Sequence, residues 1–160
     1  MSTADTPAVD LQHVTKAFGS RRVLDDVSLS IGAGRSVCIL GRSGTGKSVA
    51  LKTIVGLIQP DAGRVLIEGQ DITGLPSREL STVRQRMGFL FQNAALFDSI
   101  SVGENVAFPL RRHTKLPDEE IRTRAIGLLE QVGLGREYDK MPADLSGGMR
   151  KRAGLARALS

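Results

Sequence analysis

The stretch Gly41-Arg42-Ser43-Gly44-Thr45-Gly46-Lys47-Ser48 fits G-x-x-x-x-G-K-[ST], the pattern of a phosphate-binding loop. Ahead of it, Val37-Cys38-Ile39-Leu40 reads as a buried parallel strand. Behind it, Val49, Ala50, Leu51, Ile54, Val55 and Leu57 mark a helix packed against that sheet. The motif thus falls between a strand and a helix, the context its chemistry requires. Glycines let the backbone curl so that successive N–H groups converge on phosphate oxygens. A helix starting near Lys47 adds the positive end of its dipole. Lys47 is placed to reach the outer phosphates, and the Ser48 hydroxyl to hold Mg2+. The plainer alternative, a glycine-rich turn that binds nothing, does not account for all four motif positions in this setting.

The 160 residues are enough for one domain with a real core. At 41% apolar residues the composition is that of a globular protein, and 18 glycines with few aromatics suit an α/β fold with tight loops. No apolar run nears the roughly 20 residues that span a bilayer. Met1 to Ala8 reads as a polar tail without a signal pattern. Cys38, the only cysteine, is expected to pack as a small buried hydrophobe. The net charge of +5 allows acidic partners, but the basic residues are dispersed apart from Arg150-Lys151-Arg152, and no nucleic-acid partner is expected.

Along the chain, Leu11–Thr15 and Val23–Ile31 read as strands, the second by period-two alternation, with Lys16–Arg21 as the turn between them. Phe18 in that turn suits either stacking on a flat ring such as adenine or covering the core edge. Gly32-Ala33-Gly34 is a turn, the helix after the loop stops between Gly56 and Pro60, and Asp61-Ala62-Gly63 turns again. Arg64–Glu68 is a short strand, Gly69-Gln70-Asp71 a turn, and Pro76–Arg86 a short helix with Ser77 as N-cap. Met87–Phe91 reads as another buried strand, running out at Gln92, from which an amide could reach a metal or water at the sheet edge. Ser99–Leu110 reads as a helix ended by Pro109. Pro117 starts another, with Asp118, Glu119 and Glu120 in its first turn and Ile121, Ala125, Leu128, Leu129 and Val132 on one face, ended by Gly133 and Gly135.

A second motif, Leu145-Ser146-Gly147-Gly148-Met149, opens a helix whose Ala153, Ala156 and Leu159 share a face. A Ser-Gly-Gly helix start again offers N–H groups, a hydroxyl and a positive end to an anion.

Taken together, these residues resemble the nucleotide-binding subunit of ABC transporters. The phosphate loop, Gln92 and Leu145-Ser146-Gly147-Gly148 stand in that family's order, and its adenine-stacking aromatic falls on Phe18. Gly88–Ser99, Glu104–Arg111 and Leu145–Arg152, with Met149 where most of the superfamily has Gln, look like the ATP-binding subunit of Mla-type phospholipid transporters. The resemblance implies a P-loop NTPase fold with N-terminal antiparallel strands, covering residues 9–160 and incomplete at the C-terminus, with a helical subdomain at about 99–150. It further implies ATP and Mg2+ as ligands. Lys47 and Gln92 serve the reaction. Phe18, Gly41, Arg42, Ser43, Gly44, Thr45, Gly46, Lys47, Ser48, Ser146, Gly147 and Gly148 contact nucleotide, and Ser48 and Gln92 the metal. Two copies pair head to tail on a transmembrane permease at the cytoplasmic face of the inner membrane, with an MCE-type substrate-binding protein as a further partner.

The family also carries an apolar strand ending in Asp-Glu after the signature helix, and a later histidine. Neither stands in these 160 residues, and His13 and His113 do not match. The expectation is a fragment that binds nucleotide weakly, turns over little and aggregates. Three other readings compete with this one. An ABC-type ATPase acting on DNA would need a long coiled coil, for which about 100 positions between Gly41 and Leu145 without heptads leave no room. A non-catalytic nucleotide-binding module fits the missing Asp-Glu. A small-molecule kinase leaves Ser146-Gly147-Gly148 without a purpose.

Overall fold

The computed structural model describes residues 6–160. Of the polar tail expected over residues 1–8, the first five lie outside the described residues. Ala8, just ahead of the first strand, is already bonded to the sheet, donating to the Ile31 carbonyl and accepting from Glu68 N–H. The chain forms two compact units, one running through Arg84 and the other Gln85–Ser160.

The first unit is built on a four-stranded antiparallel sheet of order β2-β1-β3-β4, with β1 at Val9–Phe18, β2 at Arg21–Ile31, β3 at Ala62–Ile67 and β4 at Gln70–Asp71. Its register sets Val9 opposite both Ile31 and Ile67. Both long strands outrun their expected bounds, so the hairpin turn narrows to Gly19-Ser20. Two other expected turns are also partly strand. Ala62-Gly63 begins β3 and Gln70-Asp71 forms β4, because cross-strand pairing outweighs the turn preference of these residues.

Helix α1, Lys47–Ile54, buries Ala50, Thr53 and Ile54. It ends at Ile54, short of the expected stop at Gly56 to Pro60, with Val55 as C-cap and Gly56 at φ 68. Leu51 and Leu57, expected on its packed face, are exposed, and Leu57 lies past the helix end. Helix α2, Ser77–Arg84, buries Leu80 and Val83. Ser77 is its first residue rather than its cap, and the Pro76 carbonyl accepts the first helical bond, from Leu80. Arg84 donates to the Val55 and Gly56 carbonyls at 2.9 and 2.7 Å, which closes the end of α1.

Two expected strands do not form. Residues 37–40 are irregular and exposed, Leu40 at 86%, and Cys38 is exposed rather than buried. Residues 87–91 are likewise irregular, with Leu90 and Phe91 exposed. A strand exists only through its ladder, and no described strand pairs with either segment, so their apolar side chains lack the flanking neighbours a parallel sheet supplies.

The second unit packs three helices: α3, Val102–His113; α4, Asp118–Gln131; and α5, Gly147–Ala158. Val102, Val106, Ile121, Leu129, Ala153 and Ala156 lie at the centre of its core. The face expected on α4 is the one buried, and Gly133, at φ 70, ends that helix. Pro109 does not end α3. The helix runs a turn further, held by buried Leu110, whose carbonyl accepts from both Thr114 N–H and its hydroxyl at 2.9 and 2.7 Å. Leu159 does not join the buried face of α5. It is the C-cap and 58% exposed, since the helical stagger ends at Ala158.

Candidate phosphate-binding site

In the first unit, the loop before α1 is drawn tight by its own side chains. The Lys47 ammonium donates to the Gly41 and Arg42 carbonyls at 2.7 and 2.6 Å, and Thr45 Oγ1 donates to the Arg42 carbonyl at 2.9 Å. Gly44 and Gly46 sit at φ 78 and 96, left-handed values that L-residues avoid. Gly46 is the N-cap of α1, without a side-chain cap and without an acidic residue in the first turn. The positive end of the helix and its free N–H groups are therefore left to another acceptor. Ser48 is exposed on the first turn, beside Lys47.

Phe18 ends β1 and is 50% exposed, with the Lys16 ammonium 5.6 Å from its ring centroid. Phe18 pairs with Arg21 across the hairpin, and the Arg21 guanidinium donates to the Gly44 carbonyl at 3.0 Å. The hairpin end carrying Phe18 is thereby tied to the phosphate loop. Arg21 was not legible as a site residue, because an arginine in a turn carries no pattern of its own. Close by, Asp61 accepts from Lys16 and from Ala17 N–H, which hold its carboxyl below the ordinary range, Lys16 first.

The remaining candidates belong to the second unit. Ser146 is the N-cap of α5, and its Oγ accepts from Met149 N–H at 3.2 Å. Gly147 and Gly148 form the exposed first turn of α5, again without an acidic residue. A Cβ on Gly148 would meet nothing within 4 Å, and one on Gly147 only the tip of Arg150 at 4.0 Å. Packing inside this chain therefore does not demand either glycine. Gln92 is exposed on the turn 92–95. Of the basic cluster, Arg150 donates to the Leu145 carbonyl and Arg152 to the Val132 carbonyl, both local anchors.

Two residues outside the motifs shape this unit. Buried Asn105 accepts from Phe97 N–H and donates to the carbonyls of Phe97, Ile100 and Ser101, fixing the segment that leads from Gln92 into α3. Arg157 donates to the Ala94 and Ala95 carbonyls, and burial draws its guanidinium below the ordinary value. Both were findable in principle: each is a polar residue on a helix face that is otherwise small or apolar.

The fold, with its motif loop leading into α1 and its Ser-Gly-Gly helix start, is that of an ATP-binding cassette. A family model described as ABC transporter matches residues 24–160, and the chain belongs to the ABC transporter family. It is 51% identical over 95% of its length to the "Probable ribonucleotide transport ATP-binding protein mkl" of Mycobacterium leprae, covering 44% of that protein. It is 46% identical over 95% of its length to the "Intermembrane phospholipid transport system ATP-binding protein MlaF" of Haemophilus influenzae, covering 58% of that one. The chain thus spans about half the length of the curated relatives it matches. The ATP-binding cassette MJ0796, solved as a dimer in a post-hydrolysis state bound to ADP and Pi, is 36% identical with a TM-score of 0.88. That likeness covers 94% of this chain and 68% of the other.

Proposed function

We propose that this chain is the nucleotide-binding part of a transport ATPase that moves phospholipid between bacterial membranes. One observation carries the reading: α1 begins on left-handed Gly46 with no side-chain cap, with Lys47 and Ser48 in its first turn. ATP binds with its phosphates on Gly41–Ser48 and its adenine against Phe18. Lys47 then leaves the loop carbonyls for the phosphate oxygens, a stronger, charge-assisted partner. Ser48 and Gln92 would hold Mg2+. The donor set fits that ion: these are neutral oxygens, and among the described residues no group of three or more His, Cys, Asp or Glu forms a cage. Mg2+ with few protein ligands relies on substrate phosphates, whose charge it neutralises when bound.

Residues 9–160 form one partial nucleotide-binding domain, whose helical part at about 99–150 lies within the second unit. Two copies pair head to tail, so that Ser146, Gly147 and Gly148 of one close over ATP on the other. ATP then favours the closed pair because only that state contacts the ligand from both sides. The bare helix start at Gly147-Gly148 supports this, since a second phosphate-bearing surface can approach it closely. The pair works on a permease at the cytoplasmic face of the inner membrane, with an MCE-type protein receiving or presenting lipid. The permease is a separate partner in this reading. No described helix is long and apolar enough to cross a membrane. The Asp-Glu that the family carries after the signature helix is not among these 160 residues, and turnover by this chain alone is expected to be negligible.

Titration with a fluorescent ATP analogue tests the site. Unlabelled ATP should displace the analogue, and Lys47→Ala should weaken binding at least tenfold, about 1.4 kcal/mol. Failure of the unaltered chain to bind ATP would overturn the reading. The cargo is tested by reconstituting the chain's full-length protein with its permease in vesicles. ATP-dependent movement of phospholipid supports the proposal, and movement of a ribonucleotide instead overturns the lipid part.

A further inference from the structure

The turn that follows Gln92 is bent against its own residue types. Ala94 and Ala95 stand at φ 62 and 50, left-handed values adopted by two consecutive alanines. Ala95 N–H donates back to the Asn93 carbonyl at 2.7 Å, a tight three-residue turn of a kind that is rare and strained. Such a geometry persists only when its surroundings hold it.

Two features of α5 hold it. Ala94 is buried against Gly154, where a Cβ would come 2.8 Å from the Ala94 Cβ and 3.0 Å from Leu90 Cδ1. One turn on, the Arg157 guanidinium spans both strained residues, donating to the Ala95 carbonyl at 2.7 Å and the Ala94 carbonyl at 2.9 Å. Its Cζ also lies 5.9 Å from the Phe97 ring centroid. The planar fork reaches two carbonyls at once, which a lysine point charge does less well.

We propose that Arg157 is a positioning residue for Gln92: it clamps the turn after Gln92 onto α5, the helix whose other end presents Ser146, Gly147 and Gly148. The proposal rests on the nucleotide reading above, in which Gln92 helps hold the Mg2+ that accompanies the ATP phosphates. Gln92 and the Ser-Gly-Gly helix start then move as parts of one body. Arg157 touches no ligand itself. Without the clamp the turn relaxes toward ordinary alanine conformations, and Gln92 loses its fixed place.

The experiment compares Arg157→Lys and Arg157→Gln with the unaltered chain, by amide hydrogen exchange and by affinities for ATP and ADP. Exchange in 92–97 should rise at least tenfold in both variants, while α3 and α4 keep their protection. The preference for ATP over ADP should shrink several-fold with ADP affinity unchanged, Lys less affected than Gln. Unchanged exchange in 92–97 would overturn the proposal whether or not the chain binds nucleotide. Faster exchange with an intact ATP preference would overturn it too, leaving Arg157 a purely structural support. So would loss of protection throughout α3 and α4, which would make Arg157 a support of the whole unit. If the unaltered chain binds neither nucleotide, the functional reading has failed, and the exchange data alone decide whether Arg157 clamps the turn.

Discussion

Gly46 shows how much a single position can carry. A Cβ there would fall 2.8 Å from the Val23 carbonyl oxygen and 3.0 Å from Val23 Cγ1, on a backbone already at φ 96. Gly46→Ala is expected to destabilise the first unit by about 2 kcal/mol or more and to abolish ATP binding. Urea unfolding and the fluorescent nucleotide titration check both effects. Glu104 gives a pH signature in the second unit. Its carboxylate is held below its ordinary value of 4.5 first by the hydrogen bond from Arg111, with the Tyr138 hydroxyl adding to it. A carboxylate depressed in the folded state contributes stability that is complete above pH 4.5 and lost as pH falls through the folded value. Chemical unfolding below pH 4.5 should therefore show stability dropping with acid, and Glu104→Gln should flatten that slope. The motif glycine was legible as a required residue, because the pattern names it. Glu104 was not, since Arg111 lies on α3 beyond the stop expected at Pro109, and Tyr138, 34 positions away, meets it only after packing.

At the scale of elements, α5 couples a costly start to a well-packed middle. Gly147 and Gly148 occupy helical positions where alanine would fit without a clash, at a cost of roughly 1 kcal/mol each relative to alanine. Gly148→Ala is therefore expected to stabilise the chain by about 0.5–1 kcal/mol in thermal or urea unfolding. The same change should weaken ATP-dependent pairing of two copies in the full-length protein, measurable by sedimentation. A gain in both stability and pairing would show that the glycines serve no external approach. Helices α1, α4 and α5 were readable because each pairs a periodic apolar face with a clear start signal, in line with the packing found. Pro109 misled because a missing N–H argues for a stop locally, whereas buried Leu110 and the Thr114 bonds carry the helix on.

Across the whole molecule, the segment 37–40 exposes Val37, Ile39 and Leu40 in a form rich in β-branched and aliphatic residues. Unpaired apolar stretches of this kind seed association. The isolated chain is expected to form large particles by light scattering at micromolar concentration, and Leu40→Ser should reduce them. Monodisperse behaviour of the unaltered chain would refute this. The sequence by itself determined the phosphate loop, the helix after it, the β1–β2 hairpin and the Ser-Gly-Gly helix start, because each is set by neighbours within a few residues. Local φ preference, capping and periodicity act at that range. Tertiary structure alone decided whether residues 37–40 and 87–91 become strands, since a ladder needs a partner strand and apolarity only prepares for one. It also decided that Arg21 grips Gly44 and that Arg157 grips the turn after Gln92, contacts between residues 23 and about 60 positions apart. Such contacts follow from packing geometry, which side-chain type and spacing along the chain do not encode locally.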